Sequence, residues 1–206
     1  MTARVIRLAI SAAAATLLAE PALAHHVMDG SLPGTFTQGL LSGLGHPVIG
    51  LDHFAAVVAI GCLAAAHQRG AGLVIGFVMA MVAGAAAHLQ GASLPGGEIL
   101  VALSVIVLGG VLLSHREMKA AAALALFAVV GLLHGYALGE SIFGAEQTPL
   151  AAYLIGLAVI QGAIAFAAMR IARLLTQSHA VRLRLVGAGI AGIGIAILMQ
   201  QVVPAA

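Results

Sequence analysis

Histidine and carboxylate side chains recur together in two short stretches of an otherwise apolar chain. The first is His46-Pro47-Val48-Ile49-Gly50-Leu51-Asp52-His53, and the second is His134-Gly135-Tyr136-Ala137-Leu138-Gly139-Glu140. Imidazole with carboxylate is ligand chemistry for divalent first-row metals, favouring Ni, Co, Zn or Cu(II). The softer thiolate is confined to a single cysteine, Cys62, which lies in an apolar stretch and reads as a packing residue. Asp52 and His53 are adjacent, so on a helix they point about 100° apart. His53 is therefore the expected ligand, with Asp52 either binding directly or orienting a neighbouring histidine. His134 and Glu140 are six residues apart, about 240° round an ideal helix. Either that helix unwinds near Gly135 or Gly139, or Glu140 acts at the mouth of the site. His25, His26 and His88 complete the candidate ligands, although packing or a helix-linking hydrogen bond describes His88 equally well.

The elements that must position these groups follow from composition. Of 206 residues, 62% are hydrophobic and 8% charged, against about 45–50% and about 25% in a soluble domain. A water-soluble fold is excluded, and abundant glycine fits helices packed closely in lipid. Arg4 and Arg7 precede an apolar run from Leu8 to Ala19, and Ala22 and Ala24 form an A-x-A site. Residues 1–24 therefore read as a signal peptide. Cleavage would leave His25 at the N-terminus. Its α-amine, the following amide nitrogen and the imidazoles of His25 and His26 would then offer a nitrogen-rich square-planar field suited to Ni(II) or Cu(II).

Residues 25–206 form one membrane domain, an all-α bundle. Apolar runs near 48–66, 72–89, 98–114, 120–139, 149–169 and 185–203 are each long enough for one span. A short interfacial or re-entrant helix over 36–45 precedes them and ends before Pro47, which opens the first span at its preferred first-turn position. Arg69, Arg116, Lys119, Arg170, Arg173, Arg182 and Arg184 all fall in the first, third and fifth connections. Under the positive-inside rule these connections are cytoplasmic, and both mature termini lie on the outer side of a bacterial inner membrane. His46, Asp52, His53, His88, His134 and Glu140 then gather toward the outer side. Six residues separate Pro47 from His53 and His134 from Glu140, which puts both histidines roughly 9 Å deep and makes them neighbours by depth.

Two other readings are excluded. Gly187-Ala188-Gly189-Ile190-Ala191-Gly192 matches G-x-G-x-x-G but opens a lipid-length helix without a preceding strand, so helix packing explains it better. A net charge of +2, with the basic residues in loops, gives no support for nucleic-acid binding.

The stretch His46 to His53 resembles the HPxxGxDH signature of the HupE/UreJ membrane proteins. His134 to Glu140 resembles their HGxAHGxE signature, with Leu138 in place of a second histidine and Glu140 one residue early. The start His25-His26-Val27-Met28-Asp29-Gly30 also looks like the N-terminus of the CbiM/NikM components of cobalt and nickel importers. The first resemblance implies a permease for Ni²⁺ or Co²⁺. Metal would be captured by His25 and His26 and passed to His46, Asp52, His53 and His134, with no permanently bound cofactor. The expected partners are the divalent ion and membrane lipid, and self-association into a homo-oligomer is compatible with the chain. The competing expectation is a metal-dependent intramembrane hydrolase using a zinc-activated water, although no H-E-x-x-H stands in the chain.

Overall fold

The computed structural model describes residues 32–114, 118–176 and 180–203. The signal-peptide expectation, His25, His26 and Arg116 lie outside the described residues. Those residues form seven helices: α1 (Phe36–Ile49), α2 (Leu51–Ala64), α3 (Gly70–Leu89), α4 (Gly97–Ser114), α5 (Ala120–Glu140), α6 (Gln147–Thr176) and α7 (Ala180–Val202). Helices α3 to α7 are each long and apolar enough to cross a membrane, and α1 with α2 meets that test as a pair bent by 79°. The all-α bundle is thus as expected.

Where the first span begins is not. Pro47 does not start it but lies inside α1, and the break comes at Gly50. Gly50 takes an extended backbone, with φ −72° and ψ 103°. Its N–H donates to the His46 carbonyl at 3.0 Å, and its own carbonyl accepts from Phe54 N–H at 2.9 Å. One residue therefore ends one helix and starts the next. Pro47 is tolerated in the last turn of α1, where its missing N–H removes one bond. At the other end, the Thr35 hydroxyl accepts from Gln38 N–H, and the Gln38 side chain accepts from Gly34 N–H, a reciprocal cap. Helix α2 has 14 residues, about 21 Å at 1.5 Å per residue. Alone it falls short of a hydrocarbon core about 30 Å thick.

Helix α2 is central, with ten of its 14 residues buried, and packs against α6, α4 and α7. Around it, small residues bring backbones together. A Cβ at Gly135 would overlap the Met81 carbonyl, one at Gly84 the Leu132 carbonyl, and one at Gly43 the Tyr153 carbonyl. These contacts join α3 to α5 and α1 to α6, as expected where helices associate without a hydrophobic drive between them. From the glycine motif, Gly187 packs against Gly109 and Leu113, while Gly189 and Gly192 meet nothing within 4 Å.

Helix α6 runs past the expected limit of 169 to Thr176. Arg170 and Arg173, read as loop residues, therefore sit on its last turns, and Arg182 and Arg184 sit on the first turns of α7. Long basic side chains extend helices to a bilayer surface by reaching for water. Arg173 donates to the His67 carbonyl at 3.2 Å, and Arg184 to the Leu113 carbonyl at 3.2 Å. Both bonds tie together the end of the bundle opposite the break at Gly50.

Candidate metal centre

The break at Gly50 places the first signature around one corner. His46 lies in the last turn of α1, and Asp52 and His53 lie in the first turn of α2. The Asp52 carboxylate accepts from His53 N–H at 2.8 Å, which satisfies one of the donors left unpaired at a helix start and complements the dipole there. A side chain at Gly50 would crowd this corner: a Cβ there would come within 2.9 Å of His53 Cδ2 and 3.3 Å of Asp52 Oδ1.

His134 comes from α5 and meets His53 directly. The two Nδ1 atoms are 2.8 Å apart, and the rings are edge-on with centroids 5.0 Å apart. The equal depth counted along the sequence therefore corresponds to contact. The His46 ring lies 6.1 Å from that of His53 and 6.2 Å from that of Tyr153 on α6. His46, Asp52, His53 and His134 are all 6% exposed or less. Polar groups buried this way in an apolar bundle face the protein interior and mark function by default.

Two candidates stand apart. Glu140 ends α5 and is exposed, and α5 is continuous from Ala120 to Glu140, so the helix does not unwind to bring Glu140 to His134. Gly135 and Gly139 serve close packing instead, against Met81 and Ala85. His88 packs edge-on against Tyr136 and Phe143, at 4.6 and 5.6 Å between centroids. Its buried Nδ1 has no hydrogen-bond partner among the described residues, so His88 meets its neighbours there through ring packing.

Three buried polar residues escaped sequence reasoning. Ser104 Oγ lies 2.9 Å from His134 Nε2 and donates to the Val101 carbonyl at 2.7 Å. Tyr153 donates to the Leu138 carbonyl at 2.9 Å and lies 3.0 Å from Ser141 Oγ. Gln161 is 1% exposed and donates to Met81 Sδ at 3.4 Å, while its Oε1 has no partner among the described residues. Ser104 and Gln161 each stand alone within long apolar runs, and that isolation is the signal that marks them. Among the described residues, no three His, Cys, Asp or Glu side chains form a group ready to hold a metal ion. The cluster offers two imidazoles in contact, with a third and a carboxylate beside them.

A family model described as HupE / UreJ protein matches residues 13–197. The chain belongs to the HupE/UreJ family. This is a family of transporter-type membrane proteins rather than enzymes, so the hydrolase reading is set aside. The HupE/UreJ chain is similar to "Protein HupE" of Rhizobium leguminosarum bv. viciae, at 34% identity over 125 residues. That match covers 59% of this chain and 62% of the relative, so the chain spans less than two thirds of the relative's length. No solved structure matches.

Proposed function

We propose that this protein is an inner-membrane permease for Ni²⁺ or Co²⁺. The observation that carries the reading is the buried contact between His53 and His134, at 2.8 Å, beside His46 and Asp52 and within a bundle of a transporter-type family. The metal enters from the outer side, where His25 and His26 capture it. It then passes the corner at Gly50, and His46, Asp52 and His53 exchange its waters for nitrogen and oxygen ligands one at a time. Among the described residues no three ligands converge, and such a loose set suits an ion in passage, because a closed cage would hold its cargo. The basic ends of α6 and α7 face the cytoplasm under the positive-inside rule. No nucleotide is needed: a divalent cation entering an inside-negative cell gains about 4.6 kcal/mol per 100 mV.

The test is accumulation of labelled nickel and of labelled cobalt, in parallel, by cells expressing wild type or His53→Ala at matched membrane abundance. Uptake of one metal by the wild type, lost in the variant, is the expected result and names the ion. Equal uptake by both proteins rules out the His53 path, and no uptake of either metal by the wild type rules out the permease acting alone.

A further inference from the structure

The hydrogen bonds behind His53 have a direction, and Ser104 sets it. A serine hydroxyl carries one hydrogen. Ser104 Oγ lies 2.7 Å from the Val101 carbonyl, which can only accept, and 2.9 Å from His134 Nε2; both contacts are hydrogen bonds together only when the hydroxyl donates to the carbonyl and its oxygen accepts from Nε2. His134 Nε2 must then carry a proton. His134 is 1% exposed, where a charged ring is costly, and a neutral ring has one N–H, which leaves His134 Nδ1 as a bare acceptor. Facing it at 2.8 Å is His53 Nδ1. Two bare nitrogens or two N–H groups would repel at that distance, so His53 Nδ1 donates. The lone pair of His53 is thereby placed on Nε2.

The edge that bears Nε2 also bears Cδ2, and Cδ2 lies against Gly50. It is therefore the edge turned toward the corner between α1 and α2, where His46 and Asp52 stand. We propose that Ser104 is a positioning residue that fixes the tautomer of His134 and, through it, that of His53, so that His53 presents Nε2 to an incoming divalent cation. In this arrangement His134 acts as the acceptor behind the ligand rather than as a ligand. Metal binding at Nε2 makes the opposite N–H a stronger donor, so the bond to His134 tightens as the ion arrives, as it does for metal-bound histidines that donate their other N–H. This inference rests on the transport reading for the identity of the ion, but the order of the protons does not.

Ser104→Ala removes the acceptor. His134 can then hold its proton on Nδ1 and donate to His53, which drives the His53 proton onto Nε2, the atom that should meet the metal. Loss of such a supporting partner lowers metal affinity about 10- to 100-fold. The expected result in proteoliposomes is a rise of that size in the KM for Ni²⁺ or Co²⁺ uptake, with the change falling on KM rather than on maximal rate. Ser104→Thr keeps the oxygen and restores the wild-type KM. An unchanged KM in Ser104→Ala, or a loss confined to maximal rate, overturns the proposal.

A second measurement reads the tautomers in the wild-type protein and needs no metal. In wild-type protein labelled with ¹⁵N-histidine and reconstituted in lipid, ring nitrogen shifts report which atom is protonated, and His53→Gln and His134→Gln assign the two rings. The expected spectrum has His53 protonated on Nδ1 and His134 on Nε2. The reverse assignment overturns the role of Ser104 even if uptake is normal, and leaves the permease reading standing. The expected tautomers in a protein that transports neither metal overturn the permease reading, and with it the metal-presenting role.

Discussion

Gly50→Ala separates the corner from the helices that carry it. The backbone at Gly50, with φ −72° and ψ 103°, is open to any L residue, so the substitution acts through its added methyl group. That carbon would lie 2.9 Å from His53 Cδ2, whereas ordinary contact begins at 3.4 Å. The ring must retreat by about 0.5 Å, the difference between those distances. Across the ring, Nδ1 already meets His134 at 2.8 Å, so retreat compresses that bond or turns the ring off its rotamer. Overpacking of this kind costs about 1–3 kcal/mol. At about 1.4 kcal/mol per tenfold, uptake at limiting metal falls about 5- to 150-fold if the cost falls on the metal-binding conformation. The assay is the initial rate of labelled metal entry into proteoliposomes at matched protein. Gly72→Ala serves as control, because nothing lies within 4 Å of a Cβ there; it should stay within about twofold of wild type. If Gly50→Ala also stays within about twofold, the corner does not constrain His53, and the reasoning fails.

Other consequences can be checked independently. Gly135→Ala forces a Cβ onto the Met81 carbonyl, so α3 and α5 must separate, costing about 1–3 kcal/mol; thermal unfolding in detergent should show a Tm several degrees lower, and an unchanged Tm refutes the close-packing argument. Tyr153→Phe removes one of two hydroxyl donors to the Leu138 carbonyl, Ser141 Oγ being the other, and should lower stability by about 1 kcal/mol with little change in metal preference; a switch of preferred ion would instead place Tyr153 at the ion. For orientation, in a Cys62→Ala background, Phe143→Cys should react with an impermeant thiol reagent on intact cells, and Lys119→Cys only after permeabilisation. The reverse pattern inverts the proposed topology.

The chain settled its own class locally. Apolar runs separated by arginine-bearing connections give the helices, because in lipid a backbone must satisfy its hydrogen bonds within each span. Histidine and carboxylate in such runs are costly enough to stand out, and equal depth made His53 and His134 neighbours before their contact was seen. The break at Gly50 was not legible in the same way. Proline's preference for helix starts points to Pro47, but the fold bends at Gly50, where a side chain would crowd His53 and Asp52 in the first turn of α2. Ser104 lies 30 residues from His134, and His53 lies 81 from it. No local spacing encodes such pairs. They depend on how α4 and α5 are placed around α2, while Gly135 seats α5 on α3 and Gly109 seats α4 on α7. The same packing decided that Glu140 stays at the end of a continuous helix while Ser104 comes to stand behind His134, because side chains meet only where backbones can approach.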